Sequence, residues 1–155
     1  MSPSLQQDLK QKKPFRSLQQ EAYLSVVRTS TALTDAMEDL MKARGISATQ
    51  YNVLRILRGS GAEGLCRNAL RDRMLTRMPD MTRLLDRMEE AGLVVRVREG
   101  EDRRMVMTRI TEQGRRLLDE LDAPVMALHR KQMAGLTDAQ LRSLSDLLTL
   151  VREGG

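Results

Sequence analysis

The sequence lacks most of what a disulfide scaffold, a metal centre or an aromatic β-core is built from. It has one cysteine and one histidine in 155 residues. An intramolecular disulfide is therefore excluded, and a protein zinc site, which needs several Cys or His ligands, is not expected. Aromatic residues make up 2% of the chain and tryptophan is absent. The core must then come from Leu, Val, Ala and the 11 Met, which suits helix packed on helix better than a β-sandwich. No apolar run approaches the roughly 20 residues that cross a bilayer. The opening MSPSLQQDLKQKK has no apolar stretch of the signal-peptide kind, so the expected setting is the cytoplasm, with no membrane partner. The chain also shows no glycine-rich phosphate loop and no nucleophile–base–orienter set. Its paired acids Glu89 and Glu90 are adjacent and cannot share a helix face. Enzymatic function is not expected, and no cofactor is called for.

What is present is basic charge and helical periodicity. The net charge is +5 and the sequence pI about 9.9, compatible with a polyanionic partner without requiring one. The excess concentrates between Arg55 and Arg77. The span Arg77–Arg104 is close to neutral because of acids such as Glu89, Glu90, Glu99 and Glu101.

Along the chain, residues 1–15 read as a flexible basic arm. Ser17, with Gln20 three residues on, opens a long helix with apolar positions Ala22, Val26, Leu33, Met37 and Leu40, which stops at Arg44-Gly45. Ser47 and Gln50 form a second capping box, with Ile46 and Tyr51 as a hydrophobic staple, and that helix ends at Gly59. After a glycine-rich loop, Arg67–Met74 reads as a polar helix and Pro79–Ala91 as another. A turn at Gly92 leads into two short strands, Val94–Arg98 and Met105–Ile110, around a charged tip. Thr111 caps a helix through about Met133 that Pro124 is expected to interrupt and kink. Thr137 and Gln140 cap a last helix carrying Leu141, Leu144, Leu147, Leu148 and Val151. The fold class expected is mainly α with a small β-hairpin wing: a winged helix-turn-helix over residues 46–110, flanked by dimerisation helices at 16–45 and 111–155. The apolar stripes of the flanking helices predict a homodimer, whose twofold axis would set two recognition helices about one turn of DNA apart.

Two helices followed by a charged hairpin place one helix in the major groove and the hairpin tip over the neighbouring minor groove of double-stranded DNA. On the helix from Pro79, Met81, Leu84, Leu85 and Met88 fall on one face and are expected to pack inward. Asp80, Thr82 and Arg83 lie near the deep N-terminal end and are the candidates for base edges. Arg can bond guanine O6 and N7, and Thr can touch a thymine methyl. Arg77 and Arg87 flank them and suit phosphates. In the hairpin, Val95, Val97, Val106 and Met107 are read as the packed and strand-forming positions. Arg103 and Arg104 stand at the tip, with Asp102 able to hold a guanidinium extended toward a narrow minor groove.

The string PDMTRLLDRMEEAGLVVRVREGEDRRMVMTRITEQGRRLLDEL resembles the core of the multiple-antibiotic-resistance regulator (MarR) family. The resemblance rests on Thr82–Val94, on Asp102 and Arg104 in the wing, on Ile110–Gly114 at the next helix start, and on Gln50–Leu54. It implies a dimeric winged-helix transcription factor, usually a repressor on a palindromic operator, that releases DNA when a small, often phenolic or anionic, effector binds. It also implies that Arg104 is the minor-groove residue. Pro79-Asp80 stands where many members carry small hydroxyl residues, so the operator cannot be transferred from relatives.

Weaker signals remain beside this. Tyr23, Met37, Met41 and Tyr51 could line an adaptable effector cavity, with core packing as the bland role of each. Cys66 at a helix start could be a thiol with a lowered pKa, giving a redox-responsive regulator, or a small cap residue. Peroxide-sensing members of the family carry their reactive Cys in the first helix, where this chain has none. His129 is expected at the surface. A winged helix used for protein or RNA contacts is the alternative function.

Overall fold

A computed structural model describes residues 4–98 and 104–154, so Asp102 and Arg103 of the wing tip lie outside the described residues. The elements in chain order are α1 (Leu5–Asp8), α2 (Leu18–Lys42), α3 (Ala48–Gly59), β1 (Leu65–Cys66), α4 (Arg67–Asp72), α5 (Met81–Glu90), β2 (Val94–Arg98), β3 (Val106–Ile110), α6 (Glu112–Gln132) and α7 (Asp138–Glu153). The strands form an antiparallel sheet of order β1-β3-β2, with Val94 opposite Ile110, Arg96 opposite Thr108 and Leu65 opposite Thr108 on the other side.

The helices begin where side chains can satisfy the first backbone N–H groups. Ser47 accepts from the Gln50 N–H while the Gln50 side chain accepts from the Ser47 N–H, and Thr137 and Gln140 repeat this reciprocal pair. Ser17 accepts from the Gln20 N–H, but the Gln20 carbonyl reaches past it to the Arg16 N–H at 2.8 Å. Within the predicted arm, Ser4 and Gln7 close a capping box on the single turn of α1.

Four expectations are corrected. The recognition helix starts at Met81 rather than Pro79, because the Asp80 carboxylate accepts from the Arg83 N–H at 3.0 Å and so occupies the cap position. Proline has no such acceptor in its side chain, and Pro79 lies outside the helix. The helix from Arg67 ends at Asp72, not Met74. The strand β1 was not anticipated: two residues carry too little pattern to announce a strand, and the partner β3 supplies it. Finally, α6 runs through Pro124 without a break. Proline leaves only the carbonyl one turn before it without a helical donor, and the flanking Leu121 and Val125 are buried in the core, which holds the helix together.

That core centres on α3. Val53, Leu54 and Leu57 meet Leu70 of α4, Leu85 and Met88 of α5, Val94 and Ile110 of the sheet, Leu118 and Leu121 of α6, and Met41 at the end of α2. Buried Asn52 accepts from the Leu75 N–H at 2.9 Å, pinning the turn between α4 and α5 to α3. The outer helices are different. Met41 is the buried residue of α2, and α7 has none. Val26 and Val27 of α2 and Leu144, Leu147, Leu150 and Val151 of α7 stand exposed.

Close backbone packing ties the sheet to α6. At Gly64 (φ +75°) a Cβ would stand 2.1 Å from the Thr108 carbonyl oxygen. At Gly114 it would stand 2.5 Å from the Leu93 carbonyl oxygen and 2.9 Å from Ile110 Cγ1. Gly114→Ala should therefore destabilise the fold by roughly 1–3 kcal/mol through overpacking. Gly135→Ala, where a Cβ meets nothing within 4 Å, should be close to neutral. Urea titration of both variants checks this, and equal midpoints would refute it.

Candidate nucleic-acid interface

The interface is assembled from α4, α5 and the two long strands. Helix α5 buries Met81, Leu85 and Met88 and leaves Thr82, Arg83, Asp86, Arg87 and Glu90 exposed, with Leu84 half-buried. This is the one-sided division expected from a helical repeat. Asp80 is exposed at the N-terminal end, where its Oδ1 is engaged as the cap. Arg77 is exposed in the turn that leads into the helix, and Leu75 beside it is 81% exposed. From α4, Arg67 Nη1 donates to Thr82 Oγ1 at 2.9 Å.

The packed face of the wing differs from the one expected at Val95, Val97 and Met107, whereas Val106 shares the inward face with Thr108 and Ile110. Val94, Thr108 and Ile110 are buried, whereas Val95 is exposed and Val97, Val106 and Met107 are half-buried. Strand alternation explains this, since Val94 and Arg96 share a face and Val95 and Val97 take the other. Val106 and Met107 are consecutive and cannot both point inward. Arg96 consequently emerges beneath α5. Its guanidinium donates from Nη2 to Asp86 Oδ1 at 2.5 Å and to Glu89 Oε1 at 3.0 Å, while its backbone N–H donates to Glu89 Oε2 at 2.9 Å. The Arg96 side-chain hydrogen bond holds Glu89 below the usual carboxylate range, and the same bond raises Arg96 above its own ordinary value. The brace fixes the angle between the recognition helix and the wing. Sequence reasoning missed it, although an Arg in step with a buried Val along β2 was the available signal.

A cleft of about 500 Å³ lies between α4, α5 and the wing, lined by Arg67, Thr82, Leu85, Arg96, Arg104 and Val106 among others. Arg104 is exposed at the start of the stretch leading into β3. A second tie joins the winged unit to α6. Arg58 of α3 donates to both carboxylate oxygens of Asp122, at 2.8 and 2.9 Å, and this bonding lowers the Asp122 pKa.

Of the four residues considered for an effector cavity, Met37, Met41 and Tyr51 gather at the core and Tyr23 does not join them. Met41 is fully buried and Tyr51 is 7% exposed, both in the core, and Met37 packs at its edge. Burial pushes the Tyr51 phenol up from its ordinary value. Tyr23 is 67% exposed and stands roughly 21 Å from Met37 along α2 at 1.5 Å per residue. Cys66 occupies the cap position of α4, half-buried and making no side-chain cap bond. His129 is exposed on α6.

Helix, turn, exposed recognition helix and braced β-wing define a winged helix-turn-helix. Residues 44–105 match the MarR family. A MarR transcription factor of known structure from Planctomyces limnophilus is 39% identical, with a TM-score of 0.68 over 88% of this chain and 99% of that one. CouR from Rhodococcus jostii RHA1, solved bound to p-coumaroyl-CoA, is 28% identical, with a TM-score of 0.74 over 88% and 95%. The HTH-type transcriptional repressor IacR of Pseudomonas putida is 28% identical across 81% of this chain and 74% of its own. The chain belongs to the MarR family, and it is a DNA-binding transcriptional regulator. No helix among the described residues is long and apolar enough to cross a membrane.

Acid should loosen the brace. A carboxylate whose folded pKa is depressed contributes stability that is fully present above its unfolded pKa, about 4.3 for Glu. That stability is lost as pH falls through the lower folded value. Glu89→Gln should therefore lose less stability than the parent chain between neutral pH and about pH 3.5. Urea midpoints across that window give the test, and parallel curves for the two proteins would contradict it.

Proposed function

We propose that this regulator is a cytoplasmic homodimeric repressor of a palindromic operator, released from DNA by a small anionic or phenolic effector. The observation that carries the reading is the exposed N-terminal face of α5, held at a fixed angle to the wing by the Arg96 brace. Asp80, Thr82 and Arg83 are assigned to base edges in the major groove, and Arg77 and Arg87 to phosphates. Arg104 is assigned to the adjacent minor groove, with Arg103 beside it and Asp102 orienting the tip. Residues 46–110 serve as the DNA-binding unit, and 16–45 with 111–155 as the dimerisation element. Support for the dimer comes from α7, a 16-residue helix with no fully buried residue. The exposed Val26 and Val27 of α2 add to it. Helices of this kind require a partner face. An effector seat between the dimer helices and the winged unit would then draw on two chains, which accords with the wide separation of Tyr23 from Met37. CouR, solved with p-coumaroyl-CoA, is the precedent for the effector class.

Sedimentation at micromolar concentration should show a species of twice the 17.6 kDa chain. Leu144→Asp or Leu147→Asp should shift it toward monomer and weaken DNA binding together. A stable parent monomer would refute the dimer.

The DNA contacts separate by titration across salt and across operator variants. Arg83→Ala should cost about 1–3 kcal/mol on the operator and flatten discrimination at one base position. Arg104→Ala should act most on operators with narrow A/T-rich flanks. Arg77→Ala should weaken all sequences alike and reduce the salt slope by roughly one unit. Specific binding left intact by both Arg83→Ala and Arg104→Ala would rule out these assignments. Absence of any specific shift on fragments around its own gene would favour a protein or RNA partner.

A further inference from the structure

The hydroxyl of Thr82 is engaged differently from those of Thr31, Thr34 and Thr149. Thr31, Thr34 and Thr149 each donate their hydroxyl proton back to the carbonyl four residues earlier, at 3.1, 2.8 and 3.0 Å. Those groups are occupied with their own helix. Thr82 sits at the second position of α5, where the residue four back lies outside the helix, and its hydroxyl makes no such bond. Its one hydrogen bond among the described residues is the one it accepts from Arg67 Nη1, at 2.9 Å. One lone pair of Oγ1 is thereby taken by a cation and the proton is left over, on the exposed side of the recognition helix.

This polarity has a consequence for reading DNA. A hydroxyl that accepts from a guanidinium becomes a stronger donor, because hydrogen bonds in series polarise one another. The adjacent positive charge also disfavours the approach of another N–H donor. Of the groups on the major-groove edges, the amino groups of adenine and cytosine are donors. Adenine offers one acceptor, N7, beside its amino group, and thymine one, O4, beside its methyl group, whereas guanine presents two, N7 and O6, with neither an amino donor nor a methyl beside them.

We propose that Arg67 is a specificity-positioning residue: by donating to Thr82 it makes that hydroxyl a reader of the N7/O6 edge of guanine. The inference rests on the reading of α5 as the major-groove helix. It replaces the thymine-methyl contact expected for Thr82 from sequence with a polar one. Arg67 acts through Thr82, and its function is to set which atom of Thr82 faces the base.

The test is selection of binding sites from a randomised duplex library by the full-length protein and by the Thr82→Val, Arg67→Met and Arg67→Ala variants, followed by titration of single-base operator variants. The parent should select a guanine at one position of each half-site. Thr82→Val and Arg67→Met should each lose roughly five- to tenfold of the preference at that same position, the scale of one hydrogen bond. The double variant should lose no more than either single one. Replacing that guanine with 7-deazaguanine should reproduce part of the loss on the parent and have no further effect on Thr82→Val. Arg67→Ala should match Arg67→Met, which keeps the aliphatic stem and so guards against an effect of the helix end. The inference is overturned if Arg67→Met weakens all sequences equally while the guanine preference survives, as for a phosphate contact. It is equally overturned if the position sensitive to Thr82→Val carries a base other than guanine. Failure of the parent chain to enrich any sequence would overturn the DNA-reading assignment itself, and this inference with it.

Discussion

The winged unit hangs on one small junction, where the end of the recognition helix, the start of the wing and the start of α6 meet backbone to backbone. The Thr111 hydroxyl donates to the Gly92 carbonyl at 2.6 Å and accepts from the Gly114 N–H at 3.1 Å. The Thr111 N–H donates to the Leu93 carbonyl at 3.1 Å. Gly92, at φ +76°, turns the chain out of α5 in a conformation that side chains other than glycine resist. Gly114 lets α6 approach the Leu93 carbonyl closely enough that any side chain would collide. With those contacts made, β2 leaves α5 in a fixed direction, β3 returns to the same point, and Arg96 arrives under Asp86 and Glu89. Without them the wing would still be a hairpin, but its angle to the helix would be undetermined.

Much of this was legible in the residues. Thr111 and Gly114 fall in the I-T-E-x-G stretch, and Ser47–Gln50 and Thr137–Gln140 carry the capping pattern outright. Such signals are local: a cap needs only residues within one turn. What escaped depends on distant partners. The two residues of β1 become a strand because β3 lies beside them. Pro124 continues a helix because Leu121 and Val125 are held in the core. Asp80 and Pro79 competed for one helix start, and the free carboxylate oxygen decided it.

The same distinction governs the site. The exposed face of α5 follows from helical spacing, and Thr82 and Arg83 stand where the repeat puts them. The wing's inward face did not follow, because V-V-R-V-R looks most apolar at the positions that turn outward. Arg96 occupies an inward step and is tolerated there because two carboxylates meet it. The near-neutral sum over this region was misleading for the same reason. Asp86 and Glu89 are spent on an internal brace, which leaves Arg77, Arg83 and Arg87 exposed around the helix. Of the residues considered for an effector cavity, Met37, Met41 and Tyr51 gather at the core, and Tyr23 stands apart because α2 carries it more than three turns away.

A wing that must stand clear of the body carries a hazard that globular sheets bury. In the order β1-β3-β2, β3 is paired on both sides among the described residues, whereas β2 is an outer strand. An extended, valine-rich outer strand is a template on which another unfolded or half-folded chain could add itself. Along β2, however, every second residue after Val94 is an arginine, Arg96 and Arg98. A chain adding itself along that edge would have to accommodate both guanidinium groups, with Arg96 already committed to Asp86 and Glu89. The arginine that braces the wing against α5 thus also interrupts the apolar run of its outer strand, as a gatekeeper against aggregation does. Exchanging Arg96 and Arg98 for apolar residues would therefore lower the yield of correctly folded protein as well as the fit to DNA.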